Sequence, residues 1–294
     1  DPLTLRVREG RAIGLGACDI KGAAAGLLHA ASVTTGDAAF LFSSDEEAND
    51  PRCIAAFLTR TARGGVLGFE QAIVAEPTRC EAVLAHRGIS SVLLKFKGEA
   101  GHASGANAMQ ANALHQAMRW GDKALDLVEA EANARFGGLT GLRFNIGKVE
   151  GGIKANVIAP RAEVRFGFRP LPSHDIDVLH ARFGACASVG ALERYEETFR
   201  GPSLPAGDIA SAEERRLAAR DLADGLRLPI GNAVDFWTEA SLFSQAGLTA
   251  FVYGPGDIAQ AHTADEWVAL DQLQRYADSI TRLLSNNMPG SNTP

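Results

Sequence analysis

Two different hydrophobic patterns alternate along the chain. Residues 21–31 carry apolar positions at helical spacing, and the short apolar run 38–42 that follows them is typical of a buried strand. The same pair then repeats, with a helix that begins near Pro51 and a buried strand at 72–75. Because helices alternate with wholly apolar strands, this part of the sequence predicts a parallel α/β sheet.

The pattern changes near Gly88. Apolar and polar residues alternate over 92–97, as they do in a strand with one face exposed, and such one-sided sheets are usually antiparallel. The remaining elements of this region are a long amphipathic helix, two alternating strands, a second helix and a last strand, at 111–134, 142–149, 162–168, 175–183 and 194–199. The order β-α-β-β-α-β predicts a ferredoxin-like unit.

The first pattern returns after residue 200. Its elements are a charged helix, an apolar strand and a closing helix, at 212–226, 248–253 and 270–284. The sequence therefore predicts a discontinuous α/β domain, residues 1–87 and 201–294, with a mostly parallel sheet flanked by helices. The ferredoxin-like unit, residues 88–200, is inserted into this domain.

The composition excludes several classes of protein. Lys and Arg number 29 against 35 Asp and Glu, so the net charge of −6 provides no basic field for nucleic acid or an anionic membrane. The sequence has neither an apolar run of the about 18 residues that span a bilayer nor a signal peptide. The four cysteines form no C-x-x-C pair, which argues against a disulfide framework and a thiolate zinc site. We therefore expect a soluble, cytoplasmic protein.

Acidic residues and one histidine follow the predicted strands of the α/β domain, where open α/β sheets bind their ligands. They are Asp19, Asp45, Glu46, Glu47, Glu76 and His262. Taken singly, each is more often a helix cap or a solvated turn. Taken together, carboxylates at one sheet edge repel one another unless a cation compensates them. Oxygen ligands with one imidazole suit Zn²⁺, Co²⁺ or Mn²⁺, so the set predicts a metal site.

Six sequence blocks run in order through nearly the whole chain. They are GACDIKG (16–22), SDEE (44–47), VAEPT (74–78), GHAS (101–104), RPLP (169–172) and GPG (254–256) followed by His262. Together they resemble the co-catalytic metalloamidase family, which includes aminoacylase, succinyl-diaminopimelate desuccinylase and glutamate carboxypeptidase. The branch that they resemble most is that of the acetylornithine and acetylcitrulline deacetylases.

The resemblance implies an enzyme of arginine biosynthesis that hydrolyses the amide of an N-acyl amino acid. It further implies two divalent metal ions, zinc or cobalt, and a homodimer formed through the inserted domain, which serves as a lid. The sequence leaves open whether the amino acid is ornithine or citrulline and whether the acyl group is acetyl or succinyl.

The resemblance also implies the metal ligands. Asp19 would bridge the two ions, Glu47 and His262 would be terminal ligands of one ion, and Glu76 would bind the other. Neighbouring side chains of extended backbone point in opposite directions, so only one of Glu46 and Glu47 reaches a given ion easily. Glu46 would be the general base that carries a proton from the attacking water to the leaving amine.

Further roles follow from the matched blocks. His102 would reach the partner subunit's active site and stabilise the tetrahedral oxyanion. Arg169, with Asn156 beside it, would bind the substrate carboxylate. The other residues implied in substrate binding are Gly254, Gly256 and Glu239. Ordinary alternatives stay open, namely a loop histidine for His102, a surface ion pair for Arg169 and a helix cap for Thr238-Glu239.

One block of the family is absent. A His-x-Asp motif precedes the bridging aspartate in the family, whereas no histidine precedes Asp19. We therefore expect that an upstream segment is missing and that the chain as written has one probable metal site. The alternative is that the truncated form is a non-catalytic relative that dimerises or binds a ligand.

Overall fold

The computed structural model describes residues 1–44, 53–64 and 68–285. Within these ranges the strands are β1 (Arg6–Arg8), β2 (Arg11–Ile13), β3 (Gln71–Val74), β4 (Ile89–Lys97), β5 (Arg135–Phe136), β6 (Leu139–Thr140), β7 (Arg143–Gly151), β8 (Arg161–Arg169), β9 (Leu192–Gly201), β10 (Thr249–Val252) and β11 (Trp267–Ala269). The α-helices are α1 (Gly22–Val33), α2 (Ile54–Gly64), α3 (Ala108–Ala111), α4 (Ala113–Ala130), α5 (Ile176–Ala185), α6 (Ala212–Gly225), α7 (Ala240–Gln245) and α8 (Leu270–Ser285). The fold is a mixed α/β fold, and in the described part no helix is long and apolar enough to cross a membrane.

The chain divides into two compact units. The first unit comprises residues 1–85, 213–233 and 238–294, and the second comprises residues 86–212 and 234–237. Residues 86–87, 201–212 and 234–237 thus group with the second unit, whereas the sequence pattern predicts them in the α/β domain. The reason is local packing, because the Trp237 ring meets Phe199 edge-on at 5.9 Å and its Nε1 donates to Pro202 O at 3.0 Å.

Helix α1 packs against helix α8 in the first unit. The buried residues around them include Ala23 and Ala30 of α1, Tyr276 and Ile280 of α8, and Phe251 of β10. Strand β10 pairs with β3 in parallel, so the loops that follow the two strands leave the sheet at the same edge. Strands β1, β2 and β11 form a separate antiparallel sheet.

The predicted parallel sheet is present only as this one pair in the described residues, where most strand pairings are antiparallel. The predicted buried strand 38–42 is wrong, since this run is not a strand, and residues Leu41 and Phe42 are 47% and 53% exposed. No strand of the described chain pairs with it. An apolar run specifies a buried strand only where a neighbouring strand satisfies its backbone, and the sequence pattern does not report that neighbour.

The second unit contains a four-stranded antiparallel sheet in the order β7-β8-β4-β9. Alternation predicts its buried face correctly, because Val92, Leu94 and Phe96 of β4 are all buried. Helices α4 and α5 pack on that face, and Trp120 of α4 donates from Nε1 to the carbonyl of Phe183 in α5 at 2.8 Å. Each helix begins at a side-chain cap; the cap residues are Asn112 for α4 and Asp175 for α5.

Candidate active site

Asp19 lies in the kinked segment Ala17–Lys21, between β2 and α1, and its own φ of −119° and ψ of 94° are not helical. Gly16 precedes this segment in a left-handed conformation with φ 75°, which glycine adopts without steric cost. The backbone N–H groups of Gly16, Cys18 and Asp19 all donate to the side chain of Glu266. The position of the Asp19 backbone is therefore set by a residue far away in the sequence.

The structure brings Asp19 and His262 together. Their Oδ2 and Nε2 atoms are 3.2 Å apart, and the Asp19 side chain is only 18% exposed. His262 has φ 55°, a left-handed conformation that a non-glycine residue adopts only when its surroundings enforce it. Two ligands of a tetrahedral ion at about 2.1 Å are about 3.4 Å apart, so the pair fits two donors of one metal ion.

A complete ligand set is not present in the described part of the chain, where no three His, Cys, Asp or Glu side chains converge to hold a metal ion. The predicted ligand Glu47 and the predicted base Glu46 both lie outside the described residues, as does Asp45. Their roles therefore stay predictions.

Glu76 follows β3, and its loop is joined to the loop that follows β10. The carbonyl of Gly254 accepts from the N–H groups of Thr78 at 3.3 Å and Cys80 at 2.8 Å, and the Gly254 N–H donates to Thr78 Oγ1 at 3.0 Å. A Cβ atom at Gly254 would overlap the carbonyl oxygen of Glu76 and lie 3.0 Å from its nitrogen. Glycine at this position is therefore required by the backbone that carries Glu76.

Gly256 makes a similar close approach to the segment that carries Asp19. A Cβ atom there would lie 2.5 Å from Cys18 Sγ, and the φ of 89° is itself unfavourable for other residues. The Gly256 N–H donates to Gln272 Oε1 at 2.6 Å. Burial raises the pKa of the Cys18 thiol to about 12, although a hydrogen bond to the Asp257 carbonyl opposes the shift. The two glycines thus face their own chain in this structure, and the predicted approach to substrate stays a prediction.

Glu239 occupies the N-cap position of α7, but its side chain makes no capping hydrogen bond. The cap is Thr238, whose Oγ1 accepts from the N–H of Ala240 at 3.2 Å. The carboxylate of Glu239 instead accepts from Ser43 Oγ at 3.4 Å. The helix-cap alternative therefore applies to Thr238 and leaves Glu239 as a candidate for the substrate pocket.

His102 and Asn156 lie next to each other in the second unit, because the N–H of Ala103 donates to the carbonyl of Asn156 at 3.0 Å. The exposed His102 ring receives the Ser104 N–H on Nδ1 at 3.3 Å and has Ser104 Oγ 2.8 Å from the same nitrogen. Since Nδ1 accepts, the neutral imidazole carries its proton on Nε2. His102 is therefore prepared to donate a hydrogen bond from Nε2.

Arg169 ends strand β8 and is half-buried. Burial lowers the pKa of its guanidinium, and the charge of Asp235 opposes this shift while that of Arg87 adds to it. A guanidinium keeps its charge in proteins, so Arg169 is a partly desolvated cation suited to a carboxylate.

Glu266 is the site residue that the sequence reasoning misses. It is buried, and its carboxylate holds the loop that carries Asp19. The only signal in the sequence is an acidic residue directly before the apolar strand β11, four residues after His262. That signal is too common to be interpreted without the structure.

Comparisons with known proteins show several related chains. The pattern of the family described as peptidase family M20/M25/M40 matches residues 1–286. N-acetyl-L-citrulline deacetylase of Xanthomonas campestris pv. campestris is 71% identical over 287 residues, which cover 98% of this chain and 77% of that protein. Acetylornithine deacetylase of Proteus mirabilis is 28% identical, over 97% of this chain and 74% of that protein. The aminopeptidase PepT from Bacillus cereus has the same fold, with a TM-score of 0.68 at 16% identity over 96% of this chain and 75% of that chain.

The contact between Gly254 and the Glu76 backbone generates a prediction. Gly254→Ala should lower the free energy of unfolding by about 1–3 kcal/mol, because the new methyl group overlaps a carbonyl that two strands and their loops hold in place. Urea unfolding followed by circular dichroism measures this loss. Gly225→Ala, at a helix end with no atom within 4 Å of the added Cβ, is the matched control and should stay within about 0.5 kcal/mol. Equal stabilities of the two variants would contradict the assigned contact.

Proposed function

The chain belongs to peptidase family M20/M25/M40, and on this premise we propose that it is a metal-dependent amidohydrolase that removes the acyl group from an N-acyl amino acid. The observation that carries the proposal is the pair formed by Asp19 and His262, whose donor atoms have the spacing of two ligands of one ion. No observation favours a non-catalytic protein that only dimerises or binds a ligand.

We propose N-acetyl-L-citrulline as the substrate and a role in arginine biosynthesis. The support is the relative named N-acetyl-L-citrulline deacetylase, which is 71% identical over 98% of this chain. The relative named for acetylornithine is 28% identical, which makes acetylornithine the second candidate. Citrulline ends in a neutral ureido group and ornithine in a cation, so the two substrates differ in the charge that the pocket must accept.

The family is metal-dependent, and the donor set of this chain fits divalent zinc or cobalt. Asp19 and His262 would hold one ion together with Glu47, and Asp19 and Glu76 would contribute to a second. Such ions, when bound, polarise an amide carbonyl and lower the pKa of a bound water. The second ion and the identity of the metal belong to the proposal.

The proton and the charge of the reaction would be handled by the side chains. Glu46 would accept the proton of the attacking water and later deliver it to the leaving amine. His102 would donate from Nε2 to the oxyanion of the tetrahedral intermediate, and its contacts with Ser104 support this tautomer. Arg169, Asn156 and Glu239 would orient the amino acid, with Arg169 on its carboxylate.

We also assign the second unit to the ferredoxin-like type and propose that it acts as a dimerisation lid. Its four long strands and the helices α4 and α5 follow the order β-α-β-β-α-β, and β7 and β9 are the edge strands of its sheet. An edge strand leaves backbone groups available for pairing with a second copy. The protein should accordingly be a homodimer, with His102 serving the partner's site.

The direct test of the function is a deacylation assay with N-acetyl-L-citrulline, N-acetyl-L-ornithine and the succinyl analogues. We expect release of the free amino acid, with acetylcitrulline the best substrate, and loss of activity after a chelator that Zn²⁺ or Co²⁺ restores. Binding of acetylcitrulline without hydrolysis in the metal-loaded protein would instead support the ligand-binding alternative. Hydrolysis that survives complete metal removal would contradict the metal-dependent mechanism.

The adjacent acids Glu46 and Glu47 should behave differently. Glu46→Gln should retain bound metal while kcat falls by at least about 10²-fold, because the amide cannot carry the proton. Glu47→Gln should lose metal, because it removes a ligand. Atomic emission of the purified variants gives the metal content, and steady-state assays give kcat. If Glu46→Gln is folded and metal-free while Glu47→Gln keeps its metal, the two roles are exchanged.

His102 should act across the dimer. His102→Ala should lower kcat with little change in metal content, since the side chain meets the oxyanion and not the ions. Mixing His102→Ala subunits with Glu46→Gln subunits should restore part of the activity, because one site of each heterodimer has both groups intact. Native mass spectrometry verifies subunit exchange. Complete exchange without recovered activity would place His102 in the site of its own subunit or outside the reaction.

A further inference from the structure

Glu266 is a buried carboxylate that binds backbone donors. Its side chain lies in the interior, with the residue 4% exposed, and its oxygens accept from Gly16 N at 2.6 Å, Cys18 N at 2.9 Å and Asp19 N at 2.9 Å. Its carbonyl accepts from Gly14 N at 3.0 Å. Burying a carboxylate is costly unless hydrogen-bond donors surround it, and three N–H groups satisfy that condition here.

The loop is shaped to receive an anion. Gly16 is left-handed, and the N–H groups of Gly16, Cys18 and Asp19 point into one concavity, while the N–H of Ala17 donates to the carbonyl of Gly14. Concavities of this kind bind phosphates and other anions in many proteins. Here the anion is the chain's own Glu266, and charge-assisted hydrogen bonds to N–H groups are about twice as strong as neutral ones. The hydrogen bonds to Glu266 therefore stabilise the conformation of the loop.

The short segment of residues 262–266 contacts Asp19 in two places. Glu266 Oε1 holds the Asp19 N–H, and His262, four residues earlier, lies 3.2 Å from Asp19 Oδ2 through its Nε2. The backbone and the side chain of Asp19 are thus fixed by two residues of one segment. We expect a change in the first contact to shift the carboxylate with respect to the second.

We propose that Glu266 is a positioning residue for the metal site, which fixes the loop of Asp19 so that its carboxylate meets His262 in the geometry that an ion requires. The proposal rests on the proposed metal-dependent function. Glu266 touches neither substrate nor reacting atoms and acts only through Asp19. Residues that orient metal ligands in this way typically change metal affinity by about 10- to 100-fold when they are replaced.

The test is Co²⁺ binding to the protein, followed by the visible absorption of the bound ion. Glu266→Gln keeps the shape of the side chain, but its amide nitrogen cannot accept a hydrogen bond. We expect the dissociation constant for Co²⁺ to rise by about 10- to 100-fold and the absorption bands to shift, since the ligand field reports the placement of Asp19. Glu266→Asp, which restores the charge with a shorter side chain, should recover part of the affinity.

Val268→Ala is the matched control. Val268 is buried in the same small cluster as Ala12, Ala17 and Cys18, so its truncation loosens the same region without removing an acceptor. Thermal unfolding of the metal-free variants measures the loss of stability in each. Val268→Ala should lose stability and retain the wild-type affinity and spectrum, whereas a merely structural role for Glu266 would make affinity follow stability in both variants.

The outcomes separate the two proposals. If wild-type protein and Glu266→Gln bind Co²⁺ with equal affinity and identical spectra, the positioning role is wrong and the proposed function stands. If the wild-type protein binds no divalent ion, the proposed function itself fails, and the positioning role fails with it. If Glu266→Gln does not fold, the Glu266→Asp variant tests the positioning role instead. A wild-type Co²⁺ affinity and spectrum in Glu266→Asp would contradict that role, because the shorter side chain places the carboxylate differently.

Discussion

A carboxylate can be buried only where hydrogen-bond donors replace its hydrating water. In the first unit, the buried carboxylate of Glu266 meets this condition by binding a loop near the N-terminal end of the chain. Glu266 finds its donors on the loop at residues 14–19, and it accepts in turn from the N–H groups of Gly14, Gly16, Cys18 and Asp19. The antiparallel pairing of β2 with β11 continues this link, with Ile13 opposite Trp267. The approach of His262 to Asp19 depends on these contacts, because Asp19 and His262 lie in the two segments that the contacts join.

A second constraint is the absence of side chains at two glycines. Gly254 and Gly256 follow β10, and their backbones come so close to Glu76 and Cys18 that a Cβ atom would not fit. The parallel pairing of β3 with β10 brings the two loops to one edge of the sheet, and hydrogen bonds between them fix their spacing. The segments that carry the candidate ligands Asp19 and Glu76 are therefore held by close backbone contacts.

In the second unit, side-chain hydrogen bonds hold neighbouring elements together. Glu197 accepts from Ser90 at 3.0 Å and from Arg200 at 2.9 Å, and His180 bridges Glu197 and Tyr195 at 2.7 Å each. Burial raises the pKa of the Glu197 carboxyl, but these hydrogen bonds outweigh it and leave the pKa below its ordinary value. The network connects β4, α5 and β9, and Arg169 lies at the end of β8 in the same sheet as β4 and β9.

Hydrophobic period alone determines much of the secondary structure. It places α4, α5 and the four long strands of the second unit within a few residues, because one face of each packs on the hydrophobic core and a one-residue shift would turn that face away. Six short sequence blocks indicate the family, and they indicate Asp19, Glu76 and His262 as candidate metal ligands. The sequence does not determine the conformation of residues 38–42, since an apolar run forms a strand only where a neighbouring strand pairs with it, and the run itself does not specify that neighbour. Only the tertiary structure reveals Glu266, because hydrogen bonds between residues about 250 positions apart leave no period in the sequence.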